Sequence, residues 1–100
     1  MRYAPGHPAL QAVERTGSVR AAAPAGAGAA WAVEHQWPGD SVHALCAVLR
    51  SRGRTLGVVT FLRAANRGAF ERPDVSYAES VAVRVASAVD LARLTGGADD

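Results

Sequence analysis

The stretch Ser41-Val42-His43-Ala44-Leu45-Cys46-Ala47-Val48-Leu49-Arg50-Ser51-Arg52-Gly53-Arg54-Thr55-Leu56-Gly57-Val58-Val59-Thr60-Phe61-Leu62 decides the fold. Two β-prone runs, Val42 to Leu49 and Thr55 to Leu62, flank a basic segment with one glycine at its centre, which is the layout of an antiparallel hairpin. Successive side chains in a strand alternate faces, so Leu45, Ala47 and Leu49 share one face and Ala44, Cys46 and Val48 the other. Both faces are apolar and both need cover. An antiparallel sheet normally leaves one face to water. Double cover therefore means helices on both sides, or a lined cavity on one of them.

Downstream, the segment from Pro73 or Asp74 to about Leu94 has helical periodicity. At about 100° per residue, Val75, Ala78, Val81, Ala82, Val85, Ala86, Ala88, Val89 and Ala92 fall on one arc, the face that packs on the sheet. Ser76, Glu79, Ser80, Arg84, Ser87 and Asp90 lie opposite, interrupted by Val83, Leu91 and Leu94. A helix of this length is about 30 Å long, against about 20–25 Å for a strand of six or seven residues. Its C-terminal end should overhang the sheet and expose Leu91 and Leu94 to a partner helix.

Upstream, Pro8 suits a first helical turn and Gly17 the left-handed position past a helix end, so a short helix is expected over about 8–16. Ser18 to Ala22 leans to strand. Pro24 to Ala30 is an Ala/Gly tract read as a loop, Ala29 to Gln36 has room for one or two helical turns carrying Trp31, and Trp37-Pro38-Gly39-Asp40 is turn chemistry. The pattern is that of a single α+β domain: three antiparallel strands packed against a long C-terminal helix.

Composition sets the limits. One hundred residues, 49% apolar and 20% charged, describe one globular core. All eleven basic residues are arginine, opposed by nine acids, and a net charge of +2 is too small and too scattered to point to nucleic acid. No run approaches the ~20 apolar residues of a membrane span, and the N-terminus lacks a signal-peptide stretch. A cytoplasmic protein is expected, with neither membrane nor nucleic acid as partner. Cys46 is the sole cysteine, which leaves no intrachain disulfide.

The order of these features resembles the second half of a GAF domain. The carrying residues are the 41–62 hairpin, then Phe70, Asp74 and the closing Ala86-Ser87-Ala88-Val89-Asp90-Leu91-Ala92-Arg93-Leu94. The match is specific in order and spacing over 41–94 and weaker over 7–22. It is closest to GAF domains of bacterial regulators that stand between a PAS sensor and a serine/threonine phosphatase. The sequence departs from the pattern at Leu49, where Pro-Leu is common, and at Leu91, where Asn is usual. The resemblance implies one GAF-like domain over 1–97 with a tail at 98–100, lacking the family's first two strands. The strand at 55–62 would then have an unpaired apolar edge, an association site that a second copy covers unless the chain is a truncated frame.

Asn66-Arg67-Gly68-Ala69-Phe70-Glu71-Arg72-Pro73-Asp74-Val75 resembles the Asn-Lys…Phe-x-x-x-Asp-Glu signature of cyclic-nucleotide GAF domains, with Arg67 for Lys and Val75 for Glu. The resemblance implies a structural ion pair, Arg67 with Asp74, pinning the loop before the last helix. It also places a ligand pocket between the sheet and the segment at about 23–40, where Trp31, Trp37 and His43 are the candidate lining. The dimer helix would present Val83, Leu91 and Leu94.

Other constellations carry less. His43 and Cys46 are three apart and fall on opposite faces of a strand, so they form no metal pair, and no metal or cofactor is expected. Asp40, Ser41 and His43 have the residue types of a hydrolytic triad but are nearly contiguous, which suits turn and strand-cap roles. Arg50, Arg52 and Arg54 read as a solvated turn or an anion grip. Cys46 reads as a buried apolar residue. No acid, base and nucleophile converge, so no enzyme is expected. The function implied is a non-catalytic GAF-type regulatory module of bacterial signal transduction, dimerising through its last helix, with a second copy or a phosphatase or kinase as partner and a small molecule as candidate ligand. The alternative is an incomplete fragment of a GAF-containing phosphatase regulator without activity of its own.

Overall fold

The computed structural model describes the backbone of residues 6–96 and the side chains of residues 6–92. The fold is α+β. The elements, in order, are α1 (Pro8–Arg15), β1 (Val19–Ala22), α2 (Gly28–Glu34), β2 (His43–Ser51), β3 (Arg54–Arg63), a 3-10 turn at Ala65–Arg67, and α3 (Arg72–Gly96). The strands form one antiparallel sheet in the order β1-β2-β3, with Val19 opposite Cys46 and Cys46 opposite Thr60. Among the described residues no helix is long and apolar enough to cross a membrane.

The hairpin closes tightly because Arg52 and Gly53 both take positive φ, 55° and 75°, between the paired Ser51 and Arg54. Two central residues of positive φ make the turn whose twist matches that of the strands. A register shift between Leu49 and Arg50 then changes the facing of the residues near the turn. Leu56 consequently packs with Val59 on the same side as Ala47 and Leu49.

Both faces of the hairpin are covered by helices. On one, Ala9 and Ala12 of α1 pack with Val19 and Cys46, bordered by Trp37 and Val58. On the other, Ala82 and Ala86 of α3 pack with Ala47 and Leu49. Among the described residues, the buried positions of α3 are Ala78, Ala82, Ala86 and Asp90, a repeat of four whose alanines let the helix lie close to the sheet. Val75, Val81 and Val89 are only half-buried, and Ala88 and Ala92, expected on the packed face, are exposed. The seat on the sheet is thus narrower than the apolar arc, because a helix crossing a twisted sheet touches it along one ridge.

The strands run to nine and ten residues, longer than expected, but the helix is also longer, at 25. Asp90 meets the hairpin tip through Ser51 and Arg52. The remaining residues to Gly96 continue about 9 Å beyond that contact, so the overhang is present. Leu91 is 63% exposed there; the Leu94 side chain lies outside the described residues.

Helix α1 starts at Pro8 as expected, but its left-handed C-cap is Thr16 (φ 51°), not Gly17. The Gly17 N–H instead donates to Ala12 O at 3.1 Å, which closes the helix end one residue later. The tract read as a loop is in part helical, since α2 begins at Gly28. A Cβ at Gly28 would stand 2.9 Å from Val42 Cγ1, so glycine allows the helix to start against the entry to β2.

Candidate functional site

Three groups of side chains stand out: an aromatic cluster under α1 and α2, the two ends of α3, and a cavity beside its first turn.

Trp31 and Trp37 do come together, with ring centroids 5.2 Å apart. Their companions are His7 and His35, not His43. His35 stacks on Trp37 at 4.9 Å and 14°, and His7 meets Trp37 edge-on at 5.1 Å. His43 shares the sheet face of Leu45, whereas Trp37 packs on the Cys46 side, so the alternation of the strand separates them. His43 lines a different cleft, with Arg20, Ala44 and Phe70. The aromatic cluster is packing that ties the N-terminal segment to the α2 loop.

Each histidine of that cluster is committed. The buried His7 ring caps α1, its Nδ1 accepting from the Ala9 N–H at 3.0 Å while Nε2–H donates to His35 O at 3.4 Å. Burial holds its pKa below the ordinary value, with the neighbouring His35 acting in the same direction and the backbone bond to His35 opposing. His35 Nδ1–H donates to Trp31 O at 2.7 Å. Among the described residues no group of three or more His, Cys, Asp or Glu is placed to hold a metal.

Helix α3 is fastened by two acids set sixteen residues apart on the ridge that carries the alanines, one in its first turn and one before its overhang. At its start, Asp74 accepts from Arg63 at 3.0 Å and from the Glu71 N–H at 2.8 Å. The second contact is half of a capping box. That backbone hydrogen bond, with Arg63 in support, keeps the Asp74 carboxyl below the usual carboxylate range. The clamp expected between Arg67 and Asp74 is therefore made by Arg63, the last residue of β3. Arg67 sits on the 3-10 turn, exposed. Arg63 is well placed because its guanidinium also lies over the Phe70 ring, 4.3 Å from the centroid.

Before the overhang, Asp90 is 5% exposed. It accepts from Ser51 Oγ at 2.9 Å and pairs with Arg52 at 3.1 Å and Arg54 at 3.9 Å. Two of the three turn arginines thus answer an acid of α3. The third, Arg50, donates to Thr55 Oγ1 and Gly53 O within the turn. Asp90 had the polar-face position in the helical pattern, so only the long-range pairing reveals its role.

A cavity of about 220 Å³ opens where β3, the 3-10 turn and α3 meet. Arg63, Arg67, Phe70, Asp74 and Tyr77 line it together with Phe61 and the buried Leu45 and Ala78. The sequence placed the ligand pocket against the segment at about 23–40 instead, and none of its three candidates lines this cavity. Neither tryptophan borders this cavity.

The remaining reactive types are held in structural positions. Cys46 is fully buried, with its thiol pKa raised by burial against a weak 3.5 Å contact to Thr60 Oγ1. Ser41 is buried while Asp40 is exposed. In comparisons with known proteins, no family model, no curated protein and no solved structure matches this chain, and nothing in them identifies a GAF domain.

Proposed function

We propose that this chain is a non-catalytic regulatory module of the GAF type, acting as a homodimer through the outer face of α3 and controlling a phosphatase or kinase partner that supplies the chemistry. The observation that carries this reading is the mounting of α3. Asp74 in the first turn and Asp90 at the hairpin tip fix the helix to the hairpin, while Val83 and Leu91 stand 63% exposed. Apolar side chains on a rigidly held helix favour burial against a second helix, and a second copy supplies the same residues in a self-complementary contact. The long outer edge of β3 is a further unpaired surface beside it, at the end of the described sheet.

Regulation needs an element with two arrangements and a ligand that favours one of them. The first turn of α3 borders the cavity, so a molecule held there touches the helix that makes the dimer. The non-catalytic reading is supported by the assignments above. His7 caps a helix, Cys46 is buried, and Asp74 and Asp90 are ion-paired.

Sedimentation tests the dimer. The wild-type chain should show a concentration-dependent monomer–dimer equilibrium, and the pair Val83→Asp and Leu91→Asp, both at exposed positions, should give a monomer with an unchanged circular dichroism spectrum. A wild type that stays monomeric at high concentration overturns the reading.

A further inference from the structure

We propose that the cavity beside the first turn of α3 is a binding site for a small aromatic monocarboxylate. The inference deepens the ligand half of the proposed function. Its regulatory consequence rests on that reading, but the binding itself does not.

Charge selects the sign of the ligand. The rim carries Arg63, Arg67 and Asp74. Asp74 is occupied, accepting from Arg63 at 3.0 Å and from the Glu71 N–H at 2.8 Å, and Arg63 also donates to Ala69 O. No ion pair joins Arg67 to an acid among the described residues. The rim therefore keeps one uncommitted positive charge, which suits a single carboxylate through paired N–H donors. A cation would meet two guanidiniums and a carboxylate already in use.

Shape and surface select the body. The buried Leu45 and Ala78, with Phe61, give the lining apolar surface, and the rings of Phe70 and the exposed Tyr77 complete it. Aromatic rings pack against one another edge-on or offset. A cavity of ~150 Å³ is enough for benzene, so about 220 Å³ has room for one ring and a carboxylate. The Arg63 guanidinium lies over Phe70, 4.3 Å from the ring centroid, and is tied to Asp74, which keeps the rim in shape before the ligand arrives.

The test is a titration of the isotopically labelled full chain by two-dimensional NMR, with benzoate, benzyl alcohol and acetate as probes. Benzoate should cause saturable shifts centred on Arg67, Phe70 and Tyr77, half-complete at or below about 1 mM. Benzyl alcohol, which keeps the ring without the charge, and acetate, which keeps the charge without the ring, should each bind at least about tenfold more weakly. Arg67→Gln, at an exposed position, should weaken benzoate by about tenfold and leave benzyl alcohol unchanged, with the wild-type dichroism spectrum retained. Absence of saturation, equal binding of benzoate and benzyl alcohol, an Arg67→Gln chain that binds benzoate as well as wild type, or shifts centred on Trp31 and Trp37 would each overturn the proposal. Sedimentation with and without benzoate is read separately, so failure of the dimer leaves a positive binding result standing.

Discussion

Replacing Asp90 tests the fastening of α3 most sharply, because one carboxylate serves three partners on the hairpin. Its side chain is 6% exposed while those of Arg52 and Arg54 are 65% and 68% exposed. The arginine contacts are therefore weak, about 0–1 kcal/mol each after screening by solvent. The hydrogen bond from Ser51 to a buried carboxylate is the stronger contribution, about 1.5–3 kcal/mol. Asp90→Ala removes all of these and should cost about 2–3 kcal/mol. Asp90→Asn keeps an acceptor for Ser51, loses the charge, and should cost about 1 kcal/mol. For a domain of one hundred residues, 1 kcal/mol moves Tm by about 5 °C. Thermal melts followed by circular dichroism should thus fall by about 10–15 °C for Ala and about 5 °C for Asn. Added salt should narrow the Asn deficit, since it arises from exposed charges, and leave most of the Ala deficit. An Asp90→Ala melt within about 2 °C of wild type would refute the clamp.

Four further outcomes are expected. Arg63→Ala should lower Tm, through loss of Asp74 pairing and of a contact to Phe70 worth about 0.5–1 kcal/mol, whereas Arg67→Ala should leave Tm unchanged; the reverse order would restore the clamp to Arg67. His7 has a lowered pKa in the folded chain, so the unfolded chain binds more protons as pH falls. Stability measured by urea titration should be full above the ordinary histidine value of about 6.5 and decline as pH drops through the folded value, and the decline should flatten in His7→Asn. Cys46 should resist iodoacetamide in the folded chain and react in urea, because burial raises its thiol pKa and denies access; rapid native labelling would contradict its place in the core. Ala82→Leu, at a position 3% exposed on the ridge against Ala47 and Leu49, should destabilise by about 1–3 kcal/mol through overpacking, read from urea midpoints.

Local patterns were legible in the chain. The β-prone runs around Arg52-Gly53 announce the hairpin, the two apolar faces of β2 announce helices or a cavity over both, and the period of residues 74–94 announces α3. Burial on α3 was less legible, since an arc of valines and alanines looks uniform at helical spacing while contact with a twisted sheet selects only Ala78, Ala82 and Ala86. Long-range ion pairs were not legible at all. Arg52 and Arg54 look solvated in a turn and Asp90 looks solvated on a helix until the fold brings them together. The same holds for Arg63, whose strand-end position carries no sign that Asp74 will be its partner. His7 joins His35 and Trp37 from far along the chain, and the only local hint was a histidine before Pro8, at a helix cap. Strand alternation could have shown that His43 points away from the tryptophans, had the side of the sheet they occupy been known.

The most direct measurement is a spin-label distance between copies, with the label at Ser87→Cys, an exposed site on the outward side of α3, in a Cys46→Ala background. Helices in contact have axes about 8–10 Å apart, so the account predicts one narrow intermolecular distance of roughly 10–25 Å once label arms are included. Absence of any intermolecular coupling, or a distance well beyond that range, would contradict it.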